Sequence, residues 1–108
     1  MSDSTLTPEQ VAAANVTDWK VHADAIHTRY TTGDFVTGLK LVNLIGDAAE
    51  AANHHPDLDL RYPYLDIHLS SHDAGGITER DIALARRITE LAAGIGVAAD
   101  PNAVELRS

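Results

Sequence analysis

The amino-acid sequence predicts an α+β protein of two layers, with antiparallel strands in one and three helices in the other. Two observations carry that expectation. Apolar residues recur at the helical period in three stretches and alternate at the strand period between them, in the order helix, hairpin, helix, strand region, helix. The strand stretches are apolar on one side only, so a covering layer is needed on that side while the other stays polar.

The first six residues are mainly polar and are expected to form no element. Thr7-Pro8-Glu9-Gln10 reads as a helix start, with Thr7 as N-cap, Pro8 at the first helical position and Gln10 closing a capping box. This helix is short, stops near Asn15 and must dock on something to persist. Trp19, Val21 and Ala23 then alternate with Lys20, His22 and Asp24, and Ile26, Thr28 and Tyr30 with His27 and Arg29, which predicts a hairpin. His22 and His27 fall on its polar face, and neither has a fixed partner nearby in sequence. Two solvated histidines are therefore the simpler expectation than a ligand role.

Thr31-Thr32-Gly33-Asp34 interrupts the pattern, and Asp34 is a good N-cap. The helix expected from Phe35 carries Leu39, Val42, Ile45, Ala49 and Ala52 on one stripe, with Leu41, Leu44 and Ala48 beside it. So wide an apolar sector fits a helix deeply covered by its own chain, or one sandwiched between its sheet and a neighbouring subunit. Asn53 is placed as residue C′, and Pro56 prevents continuation. Tyr64 to Ser71 is the cleanest strand, with Leu65, Ile67 and Leu69 on one side and Asp66, His68, Ser70 and the following His72 on the other. Pro63 belongs to an edge or a loop. Whether Asp57–Arg61 is a separate strand stays open. After the loop Asp73-Ala74-Gly75-Gly76, Thr78 and Asp81 cap a third helix in an acidic variant of the capping box. Ile82, Ala85, Ile88, Leu91 and Ile95 form its stripe, and Gly94 or Gly96 ends it. The tail Val104-Glu105-Leu106 is either a short edge strand or loose.

The balance of residues narrows the function classes. A chain of 108 residues builds one domain, taken here as 1–108, around one modest core. With no cysteine, disulfides, thiolate chemistry and Cys-based zinc sites are excluded. No secretory signal and no membrane-spanning run is visible, so a cytoplasmic location without membrane partners is expected. The formal net charge of −8 and the scattered basic residues argue against direct binding of nucleic acid or an anionic membrane surface.

Glu50 to Asp81 holds four of the six histidines, groups that titrate near neutral pH. Glu50 and His54 stand i and i+4 across a helix end, so the carboxylate can approach the imidazole and fix which nitrogen carries the proton. His55 must then point elsewhere. His72 lies where a strand leaves the sheet, and Asp81 is placed to bond it or a ligand. Two imidazoles lining one cleft from different elements can supply a general acid and a general base, each worth roughly 10²–10⁴-fold. Two other readings stand beside this one. His-His-Pro can simply cap helix carbonyls while Asp81 serves the helix start. Alternatively, His54, His55, His72 and Glu50 hold a metal, against which adjacent histidines and the lack of an H-E-x-x-H spacing count.

The whole series, Glu50-x-x-x-His54-His55-Pro56, Tyr62, His72 and Thr78-x-x-Asp81, resembles the signature of the pterin-4a-carbinolamine dehydratase family. Trp19, Ile26-x-x-Arg29-Tyr30, Asp34-Phe35, Gly75-Gly76-Ile77-Thr78 and Asp81-x-x-Leu84-Ala85 extend the likeness over about residues 7–95, leaving 96–108 as a tail. The resemblance implies a four-stranded antiparallel sheet with three helices on one face, assembled as a homodimer or homotetramer. It implies dehydration of a 4a-hydroxytetrahydropterin to a quinonoid dihydropterin, in tetrahydropterin recycling, without a metal or organic cofactor. By position, His54 and His72 would be the acid/base pair, His55 would hold the pterin and Glu50 would orient His54. Asn53, Ser70, Ser71 and Asp81 would line the pocket. The alternative is a non-catalytic member of the fold that binds a pterin or a protein partner. Two departures, Leu58 where the family is usually aromatic and Pro63 in the following strand, bear on substrate fit more than on fold.

Overall fold

The computed structural model describes residues 4–103 and contains the expected elements in the expected order. They are α1 (Pro8–Ala13), β1 (Lys20–His22), β2 (Ala25–Thr31), α2 (Phe35–Ala52), β3 (Asp57–Arg61), β4 (Tyr64–Leu69), α3 (Glu79–Gly94) and β5 (Ala98–Ala99), then a 3-10 turn at Pro101–Ala103. Asp57–Arg61, which the sequence pattern left open, is thus a strand. Four strands pair antiparallel in the order β1-β2-β4-β3, and the two-residue β5 adds to β2 through Tyr30 and Thr31. An edge strand therefore forms before the Val104–Leu106 tail, which lies outside the described residues.

Register decides which side is buried. Ile26 faces Leu69, Thr28 faces Ile67 and Tyr30 faces Leu65, so three buried cross-strand levels share the face toward the helices. Leu41 and Ile45 of α2, Ile82, Ala85 and Ile88 of α3, and Val11 of α1 close over them. Each such aliphatic side chain contributes about 1.5–3 kcal/mol on full burial. The short α1 is docked by Val11 and by Arg86, which donates to the Ala14 carbonyl at 2.6 Å. Trp19 is buried too, its indole N–H donating to Thr89 Oγ1 at 3.1 Å.

α2 is rotated relative to the expected stripe. Its buried residues are Gly38, Leu41, Ile45 and Ala49, whereas Leu39 is 45% exposed and Ala52 lies in solvent. Close approach to β3 explains the rotation: a Cβ on Gly38 would stand 2.6 Å from Leu60 Cδ1, so the helix lies down on the strand at a residue without a side chain. Pro63 does not interrupt β4. It occupies the turn after Arg61, outside the ladder, and its carbonyl accepts from the Thr32 and Gly33 amides at 3.1 and 3.0 Å.

The sheet face away from the helices is polar but not uniformly wet. Arg29 grips Asp66 with two parallel bonds of 2.6 and 2.9 Å and lies 3.6 Å above the Tyr64 ring. His27, expected in solvent, is 3% exposed, because the rings of His22 and His68 flank it at centroid distances of 6.4 and 5.8 Å. Its Nδ1 has no hydrogen-bond partner among the described residues. Burial first, then the neighbouring His68, His22 and Lys20, push its pKa below the ordinary 6.5 against a raising contribution from Asp66. No helix among the described residues is long and apolar enough to cross a membrane.

Candidate active site

The site begins where α2 ends. Asn53 adopts φ 50° and ψ 42°, the left-handed conformation that asparagine tolerates better than most residues, and the His54 amide returns to the Ala49 carbonyl at 3.1 Å. One residue of left-handed backbone sends the two following side chains in different directions. His54 turns inward and is buried, while His55 turns outward.

Inside, His54 Nε2 meets Asp81 Oδ1 at 2.5 Å. Asp81 is fully buried and reaches this place because it is the N3 residue of α3, whose capping box is complete. Its other oxygen accepts from the Thr78 amide at 2.9 Å and from the Ser71 hydroxyl at 2.8 Å. Ser71 has one proton to give, so the Thr78 hydroxyl, 2.8 Å away, donates to it. The backbone locks the same corner, since the Ser71 amide donates to the Gly76 carbonyl at 2.8 Å and the loop between them is closed. A carboxylate filled in this way accepts from the Nε2–H of His54 and fixes the orientation of the ring.

Outside, His55 Nε2 pairs with Glu50 Oε2, and both side chains are more than half exposed. This corrects the expectation that Glu50 orients His54. The i, i+4 geometry holds only on continuous helix, and the chain has already left α2 at Asn53. The His54–Asp81 contact likewise takes the place of the expected bond between Asp81 and His72. His72 sits in the exposed turn after Ser71 with no side-chain hydrogen bond among the described residues. Asn53 is also exposed, and the Ser70 hydroxyl is tied to the Asp24 carbonyl at 2.8 Å, in the β1–β2 turn. Ser71 and Asp81 stand behind His54 as its support.

His54 also lines a cavity of about 280 Å³ between α2 and α3, with Ala48, Ala52, Arg80, Ala83, Leu84 and Arg87. The sequence reading passed over this wall, although the i, i+3, i+4, i+7 spacing of its α3 residues was there to be read. Among the described residues no three His, Asp or Glu side chains are grouped to hold a metal ion.

Known proteins carry the same fold and much of the same sequence. The family described as pterin 4 alpha carbinolamine dehydratase matches this chain over residues 4–91. The chain belongs to the pterin-4a-carbinolamine dehydratase family. Two relatives provisionally named as pterin-4-alpha-carbinolamine dehydratases illustrate the closeness. The one from Koribacter versatilis is 42% identical over 92 residues, which is 84% of this chain and 98% of that one. The one from Nocardia farcinica is 43% identical over 94 residues, 85% of this chain and 99% of that one. Among solved structures, a transcriptional coactivator/pterin dehydratase from Brucella melitensis superposes with a TM-score of 0.79 at 28% identity, covering 82% of this chain and 99% of that one. A pterin dehydratase-like protein described as a RuBisCO assembly factor shares the fold at a TM-score of 0.56 and 20% identity, covering 68% of this chain and 86% of that one.

Proposed function

We propose that this member of the pterin-4a-carbinolamine dehydratase family is itself a dehydratase, removing water from a 4a-hydroxytetrahydropterin by histidine acid/base catalysis. The observation that carries the reading is the buried His54, fixed through Asp81 to Ser71 and Thr78 at the edge of a cavity. A side chain held this firmly serves little purpose in a surface cap. It suits proton transfer, which depends on a positioned lone pair.

The elimination needs one proton on the leaving 4a-hydroxyl and the loss of one from a ring nitrogen. The C4a–O bond breaks, water departs and the nitrogen lone pair closes the quinonoid system. His54 and His72 divide the two proton transfers. His72, exposed in its turn, exchanges its proton with solvent between turnovers. His55, held outside by Glu50, grips the pterin, and Asn53 and Ser70 border the bound ring. Neither a metal nor an organic cofactor enters the step, and the pterin is the substrate. His54→Ala and His72→Ala are each expected to lower the dehydration rate roughly 10²–10⁴-fold. Stopped-flow absorbance on a chemically generated carbinolamine checks this, with circular dichroism as the folding control. Undiminished turnover in both variants overturns the reading.

The exposed Phe35, Val36 and Leu39 of α2, at 45%, 77% and 45%, support assembly into a homodimer or homotetramer, and a cytoplasmic location belongs to the same proposal. The same patch favours a second reading, a protein-binding role, since the Brucella structure is described as a transcriptional coactivator as well as a pterin dehydratase. Pterin binding with no rate above spontaneous dehydration would point to that role.

A further inference from the structure

Arg87 lines the cavity beside His54 but has no role in the chemistry proposed above. It lies on the α3 stripe Arg80, Ala83, Leu84 and Arg87, which walls the cavity beside His54. His54 is anchored at Asp81, next to Arg80, so it stands at one end of this wall. Arg87 is two helical turns from Arg80, roughly 10 Å along the axis. The space between has an apolar lining of Ala48, Ala83 and Leu84, suited to the flat face of a ring or an aliphatic linker.

Charge makes the cavity unusual for this protein. The chain has 16 Asp and Glu against 8 Lys and Arg, yet two of the eight cations line this cavity and no carboxylate does. The two guanidiniums are held differently. Arg80 donates to Asp73 at 2.7 Å. Among the described residues Arg87 has Glu90 as its ion-pair partner at 3.7 Å, with both side chains more than half exposed, so its fork is scarcely engaged. A guanidinium presents paired N–H donors that match an oxyanion better than any neutral group.

We propose that this cavity selects the substrate class of the site: a pterin whose ring substituent ends in a small oxyanion, such as a carboxylate, paired by Arg87 while the ring lies toward His54. The proposal rests on the pterin-binding reading above. In an otherwise acidic molecule, a lining with two guanidiniums and no carboxylate favours an anion here over the rest of the surface.

The test compares two pterins that differ chiefly in charge, 6-carboxypterin and neutral 6-hydroxymethylpterin, titrated into the full chain and followed by quenching of pterin fluorescence. The wild-type protein is expected to bind 6-carboxypterin about tenfold more tightly, the scale of one partly solvated charge-assisted pair. Arg87→Ala brings that ratio close to one, Arg87→Glu inverts it and Arg87→Lys keeps part of it. Circular dichroism verifies folding, which an exposed Arg→Ala change in a helix is expected to preserve. A wild-type ratio near one, or a ratio that Arg87→Ala leaves intact, overturns the proposal while the pterin reading stands. Failure of the wild-type protein to bind either pterin overturns both.

Discussion

His54 and His55 are chain neighbours, each faces a carboxylate, and they differ in almost everything else. The His54–Asp81 pair has side-chain exposures of 9% and 0%, and the His55–Glu50 pair 56% and 78%. In the first, water has been replaced by Ser71 and Thr78, so every group depends on the others for its hydrogen bonds. In the second, water competes for both partners, and the pair orients a side chain without contributing much to folding. Contact between imidazole and carboxylate therefore says little by itself; what surrounds the contact decides whether it fixes a ring or merely steers one. His27 supplies a third case, a buried imidazole with no carboxylate bonded to it among the described residues.

The largest effect is expected at Asp81. Asp81→Ala strands the His54 ring, the Ser71 hydroxyl and the Thr78 amide together, and should cost on the order of 3–5 kcal/mol in a urea titration. A loss below about 1 kcal/mol would mean that the buried network is no stronger than the exposed pair. An intermediate effect is expected at His27 and only in acid. Its folded pKa lies below 6.5, so on acidification the unfolded chain takes up this proton first, and stability falls as pH drops below about 6.5. His27→Leu should flatten that part of the stability profile relative to wild type. Parallel profiles for the two proteins would show that the ring is not kept neutral by folding. The smallest effect is expected for Glu50→Ala, whose melting temperature should stay within error of wild type while pterin affinity weakens through a less ordered His55. A substantial loss of stability there would erase the distinction between the two pairs.

The fold was largely legible because its signals are local. Thr7 and Gln10, Asp34, and Thr78 and Asp81 announce helix starts through side chains that bond within one turn, and all three starts are present. The alternation of Leu65, Ile67 and Leu69 set the buried side of β4. The rotation of α2 was not legible, since it follows from Leu60 meeting Gly38, residues 22 positions apart in the chain. Around His54, the pairing of the candidate residues was not legible. Spacing places Glu50 near His54 on an unbroken helix, and only the left-handed Asn53 reassigns the two carboxylates. His27 was misjudged for a similar reason: what covers it are side chains from β1 and β4, brought alongside by strand register.

Asp81 serves two structures with one side chain, and this has a kinetic consequence. Helix ends ordinarily open and close many times for each unfolding of the whole molecule. Here one oxygen of Asp81 holds His54 and the other holds the Thr78 amide, so opening the first turn of α3 moves the carboxylate that anchors His54. Local opening of the helix end therefore also releases His54, and amide hydrogen exchange at Thr78 would count how often that happens.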